Sequence, residues 1–144
     1  MTEAQKTVTS ILFVCVHNSG RSQMAEAFLN RLSTGIVTAT SAGTIPAGEI
    51  NPTVAEVMME KGIDISLNRP NLITQEMVDE ANKIITMGCS IEESCPAVFI
   101  PTEDWDLEDP QGKPLENVRD IRDQIETKVR ALVLSLGLEI APLI

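Results

Sequence analysis

Ser10-Ile11-Leu12-Phe13-Val14-Cys15-Val16-His17-Asn18-Ser19-Gly20-Arg21-Ser22 is the stretch from which the fold can be read. Its run Ile11-Leu12-Phe13-Val14 has no polar alternation, which suits a central strand of a parallel sheet covered on both faces. A helix follows from about Ser22 to Leu32, because Met24, Phe28 and Leu32, with Ala25 and Leu29 beside them, recur at helical spacing. The residues between, Cys15 to Ser22, form a loop that can turn its backbone N–H groups inward, and the following helix adds its positive dipole end. Gly20 is expected to supply a backbone angle that other residues resist. Arg21 can hold two oxygens of a tetrahedral anion. The same donors favour a thiolate at Cys15, and Ser22 is placed to add a hydrogen bond to that sulfur. No Gly-Lys-Ser/Thr follows, so this is not a nucleotide-binding P-loop.

Outward from this segment, strands and helices alternate. Gly35 is expected to stop the first helix, and Ile36–Thr40 reads as a second short strand. Asn51-Pro52 starts a helix as an N-cap followed by proline, its inner face carried by Val54, Val57 and Met58, and Gly62 ends it. Thr74 is the expected cap of a third helix, with Ile73 and Val78 placed as a hydrophobic staple. Lys83–Met87 and Ala97–Ile100 are the remaining strand candidates. A final helix from about Pro114 to Leu136 buries Val118, Ile121, Ile125, Val129, Leu132 and Leu136. The apolar tail with Ile140, Leu143 and Ile144 has either the body of the protein or a second subunit to dock on. The alternation predicts one three-layer α/β/α domain over residues 1–144, built on a parallel sheet. Ligands in such folds bind beyond the carboxyl ends of the strands, where Cys15 and Gly88-Cys89 both fall.

Eleven basic against twenty-one acidic residues give a net charge of −10, which argues against a nucleic-acid partner and obliges any anion site to build its own positive potential. No stretch approaches the roughly 20 apolar residues of a membrane span. The early apolar run Ile11–Val16 is too short for a secretory signal core, so a cytoplasmic protein is expected. There three cysteines, an odd number, belong to thiols rather than a permanent disulfide framework. Cys89 and Cys95 are six apart, unlike the spacing of zinc knuckles, and His17 is the only histidine. No metal and no cofactor is expected; a dithiol able to close on itself is the reading of that pair.

Val14-Cys15-Val16-His17-Asn18-Ser19-Gly20-Arg21-Ser22-Gln23-Met24-Ala25-Glu26 resembles the active-site loop of the low-molecular-weight tyrosine phosphatase fold, specifically its thioredoxin-coupled arsenate reductase branch. The similarity continues through Ser41-Ala42-Gly43, Asn51-Pro52, Ile63-Asp64-Ile65-Ser66 and Trp105 to Pro110. It implies a four-stranded parallel sheet flanked by helices. By this resemblance Cys15 is the nucleophile, and Arg21 with the backbone of Val16, His17, Asn18, Ser19, Gly20, Arg21 and Ser22 binds the oxyanion: arsenate, with phosphate or sulfate as analogues. Asn18 and Ser41 match positions that shape the loop, and Asp109, which directly precedes proline, matches the acid, leaving Asp104, Asp106 and Glu108 as solvated charges. His17 is expected to face water.

The resemblance also gives the other thiols a task. Thiols do not reduce phosphorus(V), but an arsenylated Cys15 can be attacked by Cys89, and Cys95 can then resolve the resulting disulfide, with thioredoxin or another thiol reductant outside. Two departures stand out. Members that bind potassium near the loop do so through an aspartate and a threonine, where this chain has Asn71 and Arg69; no potassium site is expected, and Arg69 is a candidate electrostatic support. The Cys89–Cys95 spacing is also one residue shorter than the usual thioredoxin-coupled form. Against a phosphatase, Gln23 stands where related phosphatases carry proline, and Gln111-Gly112-Lys113 replaces their aromatic clamp. A tyrosine phosphatase is the alternative on the same scaffold.

Overall fold

The computed structural model describes residues 10–34, 36–87 and 102–142. Four strands, β1 (Ser10–Cys15), β2 (Thr38–Gly43), β3 (Lys83–Thr86) and β4 (Thr102–Asp104), form one sheet in the order β2-β1-β3-β4. Every pairing is parallel. The helices are α1 (Arg21–Leu32), α2 (Pro52–Met59), α3 (Gln75–Glu80) and α4 (Leu115–Ser135).

Strand β1 explains the layering. Ile11, Phe13 and Cys15 point into a core shared with α1, α2 and α4, including Phe28, Val54, Met58, Ile121 and Ile125. Leu12 and Val14 point the other way, into a smaller core with Val78 of α3, Ala81 and Ile84. With both faces covered, the strand had to be apolar at every position. Burying each such side chain contributes about 1.5–3 kcal/mol, so β1 is fixed in place before its terminal cysteine is considered.

The element starts follow their local chemistry. Asn51 Oδ1 accepts from Thr53 N–H at 2.9 Å ahead of Pro52, and Thr74 Oγ1 accepts from Met77 N–H at 3.1 Å. Ile73 and Val78 share the smaller core, as a staple requires. Helix α4 begins after Pro114 and buries Val118, Ile121, Ile125, Val129 and Leu132; Leu136 is only partly buried. The tail turns back onto the body: Leu138 and Ile140 pack on the main core and Ala141 N–H donates to Leu32 O at 2.9 Å. Leu143 and Ile144 lie outside the described residues.

One boundary differs from expectation. The second strand is not Ile36–Thr40 but Thr38–Gly43, since Ile36 is exposed and Ser41, Ala42 and Gly43 pair with Phe13, Val14 and Cys15. Those small residues carry little apolar signal, and the pairing with β1 makes them a strand. Helix α1 ends at Leu32, as expected, with Thr34 in the left-handed region at φ 54°, ahead of Gly35, which lies outside the described residues. The described fourth strand is Thr102–Asp104, whereas Ala97–Ile100 lies outside the described residues.

Candidate active site

The carboxyl end of β1 opens into residues 16–20, which run directly into α1. Three of this loop's carbonyls are taken up by the segment after β2. Val16 O accepts from Ile45 N–H at 2.8 Å, His17 O from Ala47 N–H at 3.0 Å and Ser19 O from Asn51 N–H at 3.0 Å. In a trans peptide the N–H points opposite to its carbonyl, so these three bonds turn the N–H groups of His17, Asn18 and Gly20 to the other side of the loop. Asn18 N–H lies 3.2 Å from Cys15 Sγ, which places the sulfur on that side. Helix α1 has neither a side-chain cap nor an acidic residue in its first turn, so its amides and dipole meet the same space. The geometry can thereby seat an anion, against the chain's net negative charge.

Cys15, 2% exposed, sits at the bottom of this seat with Ser22 Oγ at 2.9 Å. The direction of that bond follows from Asn18, which is fully buried and left-handed at φ 51°. Asn71 N–H, a backbone donor, lies 2.7 Å from Asn18 Oδ1 and fixes that atom as the oxygen. Asn18 Nδ2 must then donate to Ser22 Oγ at 2.7 Å, leaving the Ser22 hydroxyl hydrogen for the sulfur. Gly43, the last residue of β2, lets the loop pass this close: a Cβ there would stand 2.5 Å from Val16 O and 3.0 Å from Asn18 N.

Arg21 is buried with Nη1 donating to Met87 O at 2.6 Å and Leu107 O at 3.1 Å, tying α1 to the end of β3 and the segment after β4. With Nη1 engaged, the Nε–Nη2 edge is the part of the fork available to a bidentate anion. Asp109 Oδ2 lies 3.9 Å from Nη2, and this carboxylate, 49% exposed, also accepts from Gln111 N–H at 3.0 Å through Oδ1. It borders the seat because Pro110 packs on Gly20, where a Cβ would come within 2.9 Å of Pro110 Cγ. The role expected for Gly20 is thereby corrected. Its φ is −144°, so it supplies room for Pro110 rather than a left-handed turn, and Asn18 is the left-handed residue.

Other expectations divide. Asp104 is not a free loop charge, because the buried Thr86 hydroxyl donates to its Oδ1 at 2.6 Å. Glu108 pairs with Lys113 at 3.1 Å, and Asp106 is exposed. His17 does not simply face water: its Nδ1–H donates to Ile45 O at 3.0 Å. Ser41 donates to Glu26 at 2.5 Å, and burial pushes that carboxyl above its ordinary range; the Ser41 carbonyl accepts from Asn71 Nδ2 at 3.3 Å. The guanidinium of Arg69 has no ion pair among the described residues, and its carbonyl accepts from Gln23 at 3.3 Å. Gln23, noted in the sequence only as a departure, is 2% exposed and bonds to Asn18, Arg69 and Asn68. A glutamine beside Met24 on the inward side of the helix was the available signal. Among the described residues no group of three or more His, Cys, Asp or Glu side chains is placed to hold a metal ion. Cys89 and Cys95 lie outside the described residues.

Residues 10–141 match the profile of the low molecular weight phosphotyrosine protein phosphatases. A Halobacterium salinarum protein, provisionally named an arsenate reductase, is 40% identical over 129 residues, covering 85% of this chain and 89% of its own. The glutaredoxin arsenate reductase of a Synechocystis strain is 36% identical over 131 residues, covering 88% and 98%. The solved structure of a thioredoxin-dependent arsenate reductase of Corynebacterium glutamicum superposes with a TM-score of 0.77 at 35% identity over 92% of this chain. The chain spans 63% of that structure's length.

Proposed function

This chain belongs to the low molecular weight phosphotyrosine protein phosphatase family, and within it we propose that the chain reduces arsenate to arsenite. The observation that carries the reading is the anion seat closed around Cys15 Sγ, with Asn18 N–H at 3.2 Å and Ser22 Oγ at 2.9 Å, in a chain that holds two further cysteines. A phosphatase of this design needs one thiol. The relatives named as arsenate reductases supply the substrate class.

In the proposed reaction the tetrahedral oxyanion binds to the amides of residues 16–22 and to the Nε–Nη2 edge of Arg21. The Cys15 thiolate attacks arsenic; an S–As bond forms and an As–O bond breaks, with Asp109 delivering the proton that lets the oxygen leave as water. Cys89 thiolate then attacks Cys15 Sγ. An S–S bond forms, the S–As electron pair passes to arsenic, arsenic(V) becomes arsenic(III), and arsenite departs. Cys95 attacks Cys89, freeing Cys15 and leaving a Cys89–Cys95 disulfide for an external dithiol to reduce. Met87 supports the place of Cys89 in this scheme. Met87, two residues before Cys89 in the sequence, has its carbonyl bonded to Arg21 and its N–H donating to Val14 O at 2.9 Å. A thioredoxin-type dithiol is the proposed reductant, as in the Corynebacterium relative, and glutaredoxin is the alternative.

The test is arsenate-dependent turnover with a thioredoxin system, for the wild type and for Cys15→Ser, Cys89→Ser and Cys95→Ser. Every variant is expected to lose multiple turnover. Full activity without Cys89 and Cys95 would point to a small-thiol route, and aryl-phosphate hydrolysis without arsenate reduction would make the protein a phosphatase.

A further inference from the structure

Hydrogen bonds around Asn18 run in one direction, and something must set that direction. An amide side chain can rotate by half a turn and exchange its oxygen for its nitrogen at little steric cost. If Asn18 turned, its oxygen would face Ser22 Oγ, and the Ser22 hydroxyl would donate to that oxygen instead of to Cys15 Sγ. Two donors oppose the turn: Asn71 N–H at 2.7 Å and Gln23 Nε2 at 3.1 Å, both on Asn18 Oδ1. The orientation of Gln23 is itself fixed. Its Nε2 also donates to Arg69 O, an atom that can only accept, at 3.3 Å, and its Oε1 accepts from Asn68 Nδ2 at 3.3 Å. The side chain is 2% exposed, so water does not substitute for these partners.

We propose that Gln23 is a positioning residue: by adding a second donor to Asn18 Oδ1 beside the Asn71 N–H, it reinforces the amide in the sense that makes Ser22 a donor to the Cys15 sulfur. The inference rests on the reading of Cys15 as the nucleophile. It concerns a residue that touches neither sulfur nor substrate and acts through two side chains. It also assigns a purpose to a glutamine at the second turn position after Arg21, where an apolar residue would fill the same space without donating.

The experiment measures the rate at which iodoacetamide alkylates Cys15 at pH 6, resolved from Cys89 and Cys95 by mass mapping of the labelled peptides. Three chains are compared at a temperature where circular dichroism shows each to be folded: wild type, Gln23→Met and Asn68→Ala. Methionine keeps the length and volume of glutamine but has no N–H. The Gln23→Met chain is expected to react about tenfold more slowly, the size of effect that follows from weakening one hydrogen bond to an anion. Asn68→Ala removes the outer bond to Gln23 Oε1 and neither donor on Asn18, so it is expected to react at the wild-type rate. A wild-type rate in Gln23→Met overturns the proposal. An equal slowing in Asn68→Ala overturns it too, since Gln23 would then merely anchor the loop. Because no arsenate is present, failure here is separable from failure of the proposed reductase activity, which the turnover assay reads.

Discussion

Replacing Asn18 by alanine removes the side chain on which the seat is built, and its cost can be worked from the contacts. Three hydrogen bonds go: Asn18 Nδ2 to Ser22 Oγ at 2.7 Å, Asn71 N–H to Oδ1 at 2.7 Å and Gln23 Nε2 to Oδ1 at 3.1 Å. At about 1 kcal/mol net for each, this is about 3 kcal/mol. Alanine at φ 51° adds about 1 kcal/mol, because its Cβ crowds the following carbonyl and it lacks the short polar chain that lets asparagine occupy the left-handed region. The expected loss is about 4 kcal/mol, which for a chain of this size lowers the melting temperature by about 8–16 °C. Reversible urea unfolding followed by circular dichroism measures it. Asn18→Gly separates the contributions: it loses the same bonds without the left-handed penalty and is expected to be about 1 kcal/mol more stable than Asn18→Ala. An alanine variant within 1 kcal/mol of wild type, or a glycine variant less stable than it, would show that the loop does not depend on this network.

Gly43→Ala places a methyl group 2.5 Å from Val16 O, a backbone atom held by Ile45, so the loop must shift; a loss of about 1–3 kcal/mol and at least tenfold weaker inhibition by phosphate are expected, and unchanged phosphate affinity would count against the packing described. Glu60 is bound by Arg119 and then Arg122, which hold its carboxyl down to about 2 from an ordinary 4.5. A depressed carboxylate stabilises the fold above its unfolded value and loses that contribution as pH falls toward 2. Thermal unfolding of Glu60→Gln is therefore expected to show a deficit at pH 7 that shrinks between pH 4.5 and 2; a deficit independent of pH would mean that the carboxylate charge is not what joins α2 to α4.

The seat was legible in the sequence where its chemistry is local. An apolar run, a cysteine at its end, Gly20-Arg21 and an amphipathic helix are neighbours along the chain, and the strand–loop–helix they form needs little from elsewhere. What escaped was set by contacts between distant segments. The apolar pattern places the second strand two residues early, because Ser41-Ala42-Gly43 becomes a strand only by pairing with Phe13-Val14-Cys15. The sequence alone suggests a backbone role for Gly20, while its lack of a side chain serves Pro110, ninety positions on. Gln23 reads as a replacement for proline; its place beside Met24 on the inward side of α1 signals burial, but its bonds to Asn18, Asn68 and Arg69 depend on how the chain folds back on itself. Arg21 was expected as a plain anion clamp, yet one of its nitrogens is committed to the carbonyls of Met87 and Leu107, partners 66 and 86 residues away.

The electron path from Cys15 is tested most directly by stopping it midway. Cys95→Ser protein, fully reduced, freed of small thiols and mixed with arsenate, is expected to accumulate one intramolecular disulfide joining Cys15 to Cys89. Intact mass would fall by two hydrogens, peptide mapping without reductant would locate the bond, and one arsenite would be released per chain. Arsenite released while Cys15 and Cys89 both remain free thiols, or no disulfide at Cys15 after prolonged exposure, would contradict the relay.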